Sequence, residues 1–389
     1  MTGTIWQTQK SLPADCGMAL DIGTTTLALS LHDLSTGEEL LRNEKENPQR
    51  LIAADVMSRI GAAMKGSGPF LRELVLSALK NPPSEIKKAV IVGNTAMLYF
   101  LLGKDPEALS HAPFTADDLF GRMEDLLGIP SYLPPCMNAF VGADTTAAVL
   151  SSGMCDREET ALLADIGTNG ELALWKDGML YVTSTAAGPA FEGAGISQGS
   201  PAVPGAIDKV RIENGQAFIH VIGEAPAKSI CGSGLLDAVA AMLALDALDE
   251  TGAMEAQRFP LTENVSLTRK DIRSVQLAKG AIRAGIETLA KVSGTALTDI
   301  TTLYLAGNFG SHLSVESAAA IGLIPPILRD RVKVLGNAAL NGAEQMLLDP
   351  AKIQKAERIA SLSRHVDLGG NPLFNDLFVE NMLFTEGTG

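Results

Sequence analysis

The chain has 389 residues, of which 46% are hydrophobic, and its formal net charge is -14 at pH 7. This length allows two domains with sizeable cores. The acidic balance argues against a nucleic-acid-binding protein, which usually presents a basic face. The apolar runs are too short to span a membrane, and the N-terminus has no signal-peptide hydrophobic region, so we expect a cytoplasmic protein that binds neither nucleic acid nor membrane.

Residues 1–15 are polar and predict an N-terminal tail. A strand–turn–strand unit is predicted from about Met18 to Leu31, with Asp21-Ile22-Gly23-Thr24 at its turn. A carboxylate at a strand end suits a hydrated Mg²⁺ ion, and the amides and hydroxyls that follow it suit phosphate oxygens. A single string of this kind is most often an ordinary turn.

Helical spacing of apolar residues predicts an amphipathic helix over 51–64. Asp55 and Arg59 lie four residues apart on it and are predicted to support the helix as a surface pair, with a position facing the cleft as the alternative. A buried strand over Lys88–Val92 then ends in Gly93-Asn94-Thr95 and opens a helix. That junction suits either a ligand-facing turn or a simple helix cap by Asn94.

Residues 103–135 are rich in proline and are predicted to be mostly loop. A strand over Asn138–Val141 and a helix over Thr145–Ser152 are expected next. Asp144 stands at the start of that helix. Its simpler role is a charge that stabilises the helix N-terminus, and its alternative role is a carboxylate aimed at a γ-phosphate or an attacking water.

The string of the first hairpin recurs at Asp165-Ile166-Gly167-Thr168, again after an apolar strand. Asn169-Gly170 follows and is a strong hairpin signal, because both residues accept positive φ. Two matching units far apart in one chain suggest a duplicated domain. We therefore predict a first domain over 16–155 and a second over 156–389 that ends in a C-terminal helix.

The second half carries further glycine-rich segments. The stretch Thr183–Asp208 predicts a flap, a docking surface or a flexible insertion. Gly232-Ser233-Gly234 opens a helix and could accept a phosphate or ribose. Gly280 lies within a long predicted helix and should be explained by close packing. Ala306-Gly307-Asn308-Phe309-Gly310 follows a strand and would let a base or ribose approach the backbone.

The four cysteines show neither a C-x-x-C motif nor a ferredoxin-like spacing. They are predicted to be idle thiols in a reducing compartment, so no iron–sulfur cluster is expected in this chain. They are Cys16, Cys136, Cys155 and Cys231.

The order of these signals resembles the actin-like ATPase superfamily, which includes actin, heat-shock chaperone ATPases, sugar kinases and acetate kinase. The matching segments are Asp21–Thr26, Gly142–Ser152, Asp165–Gly170, Ala278–Ala281 and Ala306–Gly310. The resemblance implies an α/β fold of two duplicated ribonuclease-H-like domains with an ATP cleft between them.

The same resemblance implies roles for individual residues. Asp21 and Asp165 would hold the hydrated Mg²⁺ ion through its water ligands, and Asp144 would orient or deprotonate the attacking water. The residues implied to bind ATP are Gly23, Thr24, Thr25, Thr26, Gly167, Thr168 and Asn169 for the phosphates, and Gly232, Ser233, Gly234, Gly307, Asn308 and Gly310 for adenosine.

Within this superfamily the chain looks most like the reductive activators of corrinoid proteins. The strings similar to that family include Val92–Met97, Phe140–Asp144, Ala164–Glu171, Ala187–Gly193 and Ala306–Gly310. The likeness implies ATP hydrolysis coupled to reduction of Co(II) to Co(I) on a corrinoid protein. A homodimer is a further expectation at the level of the family.

Members of that family usually carry an N-terminal ferredoxin-like domain with a [2Fe–2S] cluster, whose cysteine set is missing here. We therefore expect electrons from a separate low-potential donor such as a ferredoxin. Two alternatives stay open. One is a small-molecule kinase on the same scaffold, with Asp144 as the base, and the other is a slow nucleotide-switched scaffold protein.

Overall fold

The computed structural model describes residues 5–6, 12–213, 216–310 and 312–384. Most of the predicted tail 1–15 and the side chain of Asn308 therefore lie outside the described residues. The chain divides into two compact units. The first comprises Met1–Arg157, Gly178–Leu180 and Asn337–His365, and the second comprises Glu158–Asp177, Tyr181–Gly336 and Val366–Gly389.

Both units are mixtures of strands and helices, which confirms the expected α/β class. The strands are β1 (Cys16–Ile22), β2 (Thr26–Asp33), β3 (Glu39–Glu46), β4 (Ile86–Gly93), β5 (Arg122–Leu126), β6 (Ile129–Leu133), β7 (Ala161–Ile166), β8 (Gly170–Lys176), β9 (Met179–Thr185), β10 (Ala206–Glu213), β11 (Gln216–Val221), β12 (Ser229–Ile230), β13 (Arg258–Pro260), β14 (Ser266–Thr268), β15 (Thr302–Ala306), β16 (Val332–Gly336) and β17 (Ser363–His365). The helices are α1 (Val56–Ala62), α2 (Gly68–Ala78), α3 (Thr95–Leu102), α4 (Ala143–Ser152), α5 (Gly232–Ala244), α6 (Arg269–Ser293), α7 (Gly307–Gly310), α8 (Val315–Ala320), α9 (Ala338–Leu348), α10 (Pro350–Ser361) and α11 (Pro372–Glu380).

The first unit is built on a mixed sheet with strand order β3-β2-β1-β4-β6-β5. β1 pairs antiparallel with β2 and parallel with β4, and the parallel register sets Ile22 beside Gly93. β1 is buried along almost its whole length, as expected for a central strand covered on both faces. The edge strand β3 instead alternates between exposed and partly buried residues.

The boundary predicted for the second domain, 156–389, differs from the compact units at its C-terminal side. Helix α9 packs on α4, β1 and β4, so residues 337–365 belong to the first unit. Close approach of α9 to α4 requires Gly342, where a Cβ atom would lie 2.1 Å from the carbonyl oxygen of Ala147.

One local prediction in the first unit is wrong, and another is incomplete. Asn138–Val141 forms a series of bends rather than a strand. The proline-rich segment 103–135 contains the hairpin β5–β6, which turns at Leu127 and Gly128, both with positive φ. The strands of this hairpin are short and lie in a proline-rich segment, so the sequence pattern did not indicate them.

The second unit has its own sheet, in which the strands run β16-β15-β7-β8-β9. β7 pairs antiparallel with β8 and parallel with β15, so that Ala306 lies beside Asp165. The same strand–turn–strand unit thus occupies corresponding places in the two sheets, which is the arrangement expected of duplicated ribonuclease-H-like domains. Smaller sheets have the orders β11-β10-β12 and β13-β14.

The segment 183–208 is packed into the core of the second unit. Ala187, Ala190, Phe191 and Ile196 are buried and belong to the same apolar cluster as β7, β8, α5 and α6. Within the segment a Cβ atom on Gly199 would lie only 2.0 Å from the carbonyl oxygen of Gly193. These contacts contradict the alternative prediction that the segment is a flexible insertion.

Helix α6 is the longest helix of the second unit and is closed at both ends by local chemistry. Thr268 and Asp271 form a capping box, and Gly294 ends the helix with φ 65°. The predicted close packing at Gly280 is confirmed, because a Cβ atom there would lie 3.2 Å from the carbonyl oxygen of Asn381. Among the described residues, no helix is both long and apolar enough to cross a membrane.

Candidate functional site

The first candidate hairpin joins β1 to β2 through Gly23, Thr24 and Thr25. The amide of Gly23 donates to the carbonyl oxygen of Thr26 at 2.9 Å, which closes the turn. A Cβ atom on Gly23 would lie 2.8 Å from that same oxygen, so the turn requires glycine. Asp21 is therefore held two residues before a tight turn, as the sequence predicted.

The carbonyl groups of this turn are bound from within the first unit. Asn47 Nδ2 donates to the carbonyl oxygen of Gly23 at 2.7 Å, and Arg59 Nη2 donates to that of Thr24 at 2.7 Å. A planar trans peptide points its C=O and N–H groups in opposite directions. The amides of Thr24 and Thr25 consequently point away from Asn47 and Arg59, and successive amides on one side of a turn form an anion-binding concavity.

The predicted surface pair of Asp55 and Arg59 is wrong. Arg59 is 0% exposed. Asp55 instead accepts from the amide of Ser58 at 2.9 Å and caps α1. Burial, together with the nearby cation Arg50, lowers the pKa of Arg59 to about 10. The side chain still carries a full charge at neutral pH.

Asp21 has a partner that the sequence did not indicate. Asn337 Nδ2 lies 3.2 Å from Asp21 Oδ2 and donates to it. Asn337 also caps α9, because its Oδ1 accepts from the amide of Leu340 at 2.8 Å. One amide side chain therefore links the start of α9 to this carboxylate and helps to orient it.

Asp144 begins α4 next to the end of β4. A Cβ atom on Gly142 would lie 2.5 Å from the carbonyl oxygen of Gly93, so the start of α4 lies directly against that strand end. Asp144 Oδ1 accepts from the amide of Thr145 at 2.7 Å. Burial raises the pKa of Asp144 to about 6. Such a carboxylate can exchange a proton near neutral pH, which is the property required of a general base.

Asn94 has the simpler of its two predicted roles, that of a helix cap. Its Oδ1 accepts from the amide of Ala96 at 3.0 Å, which caps α3. The neighbouring Gly93 is required by close packing, because a Cβ atom there would lie 2.8 Å from the carbonyl oxygen of Ile22.

The second candidate hairpin joins β7 to β8. The amide of Gly167 donates to the carbonyl oxygen of Asn169 at 2.9 Å. Thr168 Oγ1 donates to Glu192 Oε1 at 2.7 Å, so the segment 183–208 reaches this turn. Glu192 belongs to a string that the sequence singled out only by resemblance. Its contact with Thr168 could not be foreseen from spacing.

Asp165 lies beside the glycine-rich loop that follows β15. Gly307 has φ 84°, and a Cβ atom there would lie 2.4 Å from Asp165 Oδ1. The loop therefore needs glycine so that the carboxylate can keep its place. The parallel pairing of β7 with β15 brings Asp165 and Gly307 together within the second unit.

Gly232 and Gly234 are explained by contacts with the chain itself. Their Cβ atoms would lie 1.8 Å from the carbonyl oxygen of Phe191 and 2.2 Å from that of Ile207. Ser233 Oγ donates to the carbonyl oxygen of Asp208 at 3.0 Å. The start of α5 is therefore close-packed on the segment 183–208.

An aromatic pair links the same segment to the loop after β15. The rings of Phe191 and Phe309 stack with centroids 4.9 Å apart and planes 11° apart. Gly310 follows without crowding, because its nearest neighbour would be 3.6 Å from a Cβ atom. The two predicted adenosine segments, Gly232–Gly234 and Gly307–Gly310, thus both adjoin Phe191.

The thiols are placed as the sequence suggested. Cys16, Cys136 and Cys231 are buried, and Cys155 is partly buried. Burial raises the pKa of Cys136 and that of Cys155 to about 12. These thiols are protonated at neutral pH and are poor nucleophiles and ligands in that form.

Comparison with known proteins gives a consistent result. Residues 16–157 match the family model described as the RACo middle region, and residues 159–388 match the one described as the C-terminal domain of RACo, the ASKHA domain. The chain is 34% identical to the corrinoid activation enzyme RamQ of Eubacterium limosum, over 95% of this chain and 70% of that protein. It is 26% identical to the [Co(II) methylated amine-specific corrinoid protein] reductase of Methanosarcina barkeri, over 95% of this chain and 77% of that protein.

A solved structure agrees with these matches. The reductive activator for corrinoid,iron-sulfur protein superposes with a TM-score of 0.84 at 30% identity, and the match covers 95% of this chain and 66% of that one. The chain thus spans about two thirds to three quarters of the length of these relatives.

Proposed function

This chain belongs to the family of reductive activators of corrinoid proteins, with the actin-like ATPase fold, and we propose that it couples ATP hydrolysis to the reduction of a corrinoid protein from Co(II) to Co(I). In the proposed reaction the cobalt takes up one electron from a separate low-potential donor such as a ferredoxin. ATP and water give ADP and phosphate in the same cycle.

The proposed binding of ATP is supported most strongly by one observation. At the first hairpin, side chains within the unit bind the carbonyl groups of Gly23 and Thr24, which turns the following amides the other way. Backbone amides presented in this manner bind phosphate oxygens. Asp21 and Asp165 carry the carboxylates that would hold hydrated Mg²⁺, the ion that neutralises the phosphates when it is bound.

The other residues receive roles on the same basis. Gly23–Thr26 and Gly167–Asn169 would contact phosphates, and the segments Gly232–Gly234 and Gly307–Gly310 would contact adenosine. Asp144 would accept the proton of the attacking water, since its raised pKa of about 6 still leaves it ionised at neutral pH.

Coupling to the corrinoid protein has a thermodynamic reason. Reduction of Co(II) to Co(I) is unfavourable for ordinary biological donors. If docking displaces an axial ligand of the cobalt, the potential of the couple rises, because axial ligation is a main determinant of a metal's potential. ATP turnover would then release the tightly docked partner through motion of the units.

The test is a visible spectrum of a Co(II) corrinoid protein under anaerobic conditions with this chain, a low-potential reductant and ATP·Mg²⁺. We expect ATP-dependent loss of the Co(II) band and appearance of Co(I). Reactions without ATP, without the chain, or with Asp165→Ala in its place serve as controls. An unchanged spectrum across several corrinoid proteins, despite ATP binding, would refute the redox function and favour a kinase or a nucleotide-switched scaffold.

A further inference from the structure

Arg59 is a wholly buried cation beneath the first hairpin. Its Nε donates to the carbonyl oxygen of Ala53 at 2.9 Å, and its Nη2 donates to that of Thr24 at 2.7 Å. Its Nη1 lies 3.3 Å from Gln49 Oε1 and 3.3 Å from Met97 Sδ. All of these partners are neutral.

No ion pair formed among the described residues includes Arg59. Its nearest acidic neighbour along α1, Asp55, is used as the cap of that helix. Asp55 attracts Arg59 but lies beyond ion-pair distance, and a buried charge without a direct ion pair is costly to the fold. An anion bound nearby would supply a closer counter-charge than Asp55 does.

The peptide between Thr24 and Thr25 shows where that anion would lie. Arg59 binds the carbonyl side of this peptide. The amide of Thr25 is on the opposite side, because the peptide is planar and trans. The guanidinium lies at the carbonyl end of the peptide and the positive end of the peptide dipole lies at the amide. Both therefore attract an anion at the tip of the hairpin, where Thr24 and Thr25 are partly exposed.

We propose that Arg59 is a positioning residue for the polyphosphate of the nucleotide, since it turns the Thr24 carbonyl inward and places a positive charge behind the Thr24–Thr25 peptide. This inference rests on the proposed function. It extends that function by assigning a phosphate-directed role to a residue that makes no contact with the exposed face of the turn.

The fork of the guanidinium is needed for this role. It reaches the carbonyl groups of Ala53 and Thr24 through different nitrogen atoms at the same time. A lysine would keep the charge, but its single nitrogen cannot reproduce the planar fork. Asn47 orients the carbonyl of Gly23 without any charge, whereas Arg59 both orients the carbonyl of Thr24 and supplies a charge.

The experiment compares nucleotide binding by the full chain and by Arg59→Met and Arg59→Lys. Calorimetric titrations use ATP, ADP and AMP at fixed Mg²⁺ and ionic strength. We expect Arg59→Met to weaken ATP and ADP binding at least tenfold and AMP binding less than threefold. Arg59→Lys should lie between Arg59→Met and the wild type.

Two controls match the perturbation. Arg72→Met removes another guanidinium of the first unit, whose Nε donates to the carbonyl oxygen of Leu101 at 2.9 Å. Leu133→Ala removes a buried side chain of β6 in the same unit and reports the effect of lost stability. We expect both to keep the wild-type ratio of ATP to AMP affinity.

The outcomes separate this inference from the proposed function. Failure of the wild-type chain to bind ATP would refute the proposed function itself. A wild-type chain that binds ATP, together with a folded Arg59→Met variant of equal ATP affinity, would overturn the role of Arg59. If Arg59→Met does not fold, Arg59→Lys decides, and an unchanged ratio of ATP to AMP affinity in that variant overturns the inference.

Discussion

Replacement of Gly307 by alanine should move the carboxylate of Asp165. The added Cβ atom would lie 2.4 Å from Asp165 Oδ1, whereas ordinary contact begins at 3.4 Å, so one group must move by about 1 Å. The Cβ atom would also lie 3.1 Å from the carbonyl oxygen of Ile166, which limits movement of the loop in that direction. The side chain of Asp165 is therefore the group that yields.

The expected loss follows from that displacement. Misplacement of a catalytic group by about 1 Å costs on the order of 100-fold in rate, or about 2.7 kcal/mol. Alanine at φ 84° adds backbone strain of about 1–2 kcal/mol to the folded state. We therefore expect Gly307→Ala to reduce Mg²⁺-dependent ATP turnover about 100-fold and to lower the melting temperature modestly.

The assay is steady-state phosphate release over a range of Mg²⁺ concentrations, with thermal unfolding of the same samples. Gly294→Ala is the matched control, because Gly294 has φ 65° and nothing within 4 Å of a Cβ atom. It carries the strain without the collision and should keep wild-type turnover. A folded Gly307→Ala variant with wild-type turnover and wild-type dependence on Mg²⁺ would refute the placement of Asp165 at the metal.

Three further predictions concern buried or paired charges. Burial raises the pKa of Asp144 from 3.8 to about 6, so the ionised carboxylate lowers the stability of the folded chain at pH 7. Asp144→Asn should therefore raise the melting temperature and lower the rate of ATP turnover. An unchanged rate of turnover would contradict the proposed role of Asp144 as the base. Burial and the nearby cation Arg283 lower the pKa of Lys279 from 10.5 to about 7. Between these pH values Lys279 is protonated in the unfolded chain and neutral in the folded chain, so the free energy of unfolding should rise with pH. Urea unfolding at pH 7 and pH 9.5 should show this rise in the free energy of unfolding for the wild type and a smaller rise for Lys279→Met. Equal rises in the two proteins would show that the pKa of Lys279 is not the cause. Glu192→Gln removes a negative charge beside the Thr168 hydroxyl and should tighten ATP binding about fivefold, or on the order of 1 kcal/mol, in calorimetric titrations; weaker binding would show that the carboxylate helps to bind the ligand.

The two hairpins could be predicted because all of their determinants are local. An apolar strand, a small-residue turn and a second apolar strand follow one another within a few residues. Ile22 pairs with Leu27 across the first turn, and Ile166 pairs with Gly170 across the second. The repetition of the string supplied the remaining information.

The supports of the hairpins could not be predicted, because they come from distant parts of the chain. Asn337 reaches Asp21 across 316 positions, and Arg59 reaches Thr24 across 35. Arg59 was interpreted as a surface residue because an acidic side chain stands four positions before it. Helical spacing indicates which residues share a face, but only tertiary packing decides whether a polar face is buried.

The glycines of the second unit show a related limit. Gly232 and Gly234 were assigned to nucleotide contact, because a glycine-rich helix start often admits a phosphate. In the structure each is required by a carbonyl oxygen of its own chain, at Phe191 and Ile207. A requirement for glycine therefore indicates close approach of some backbone or ligand, and sequence alone cannot tell which of the two approaches.

The nearly identical strings of the two hairpins nevertheless have opposite electrostatic surroundings. The first has a buried cation, Arg59, behind its backbone. The second has a carboxylate, Glu192, bound to its threonine hydroxyl. Phosphate oxygens bind to positive groups, so the first hairpin has the more favourable surroundings for a polyphosphate, in line with the tighter binding expected of Glu192→Gln. The two copies of the duplicated hairpin are therefore distinguished by the residues around them rather than by the hairpins themselves.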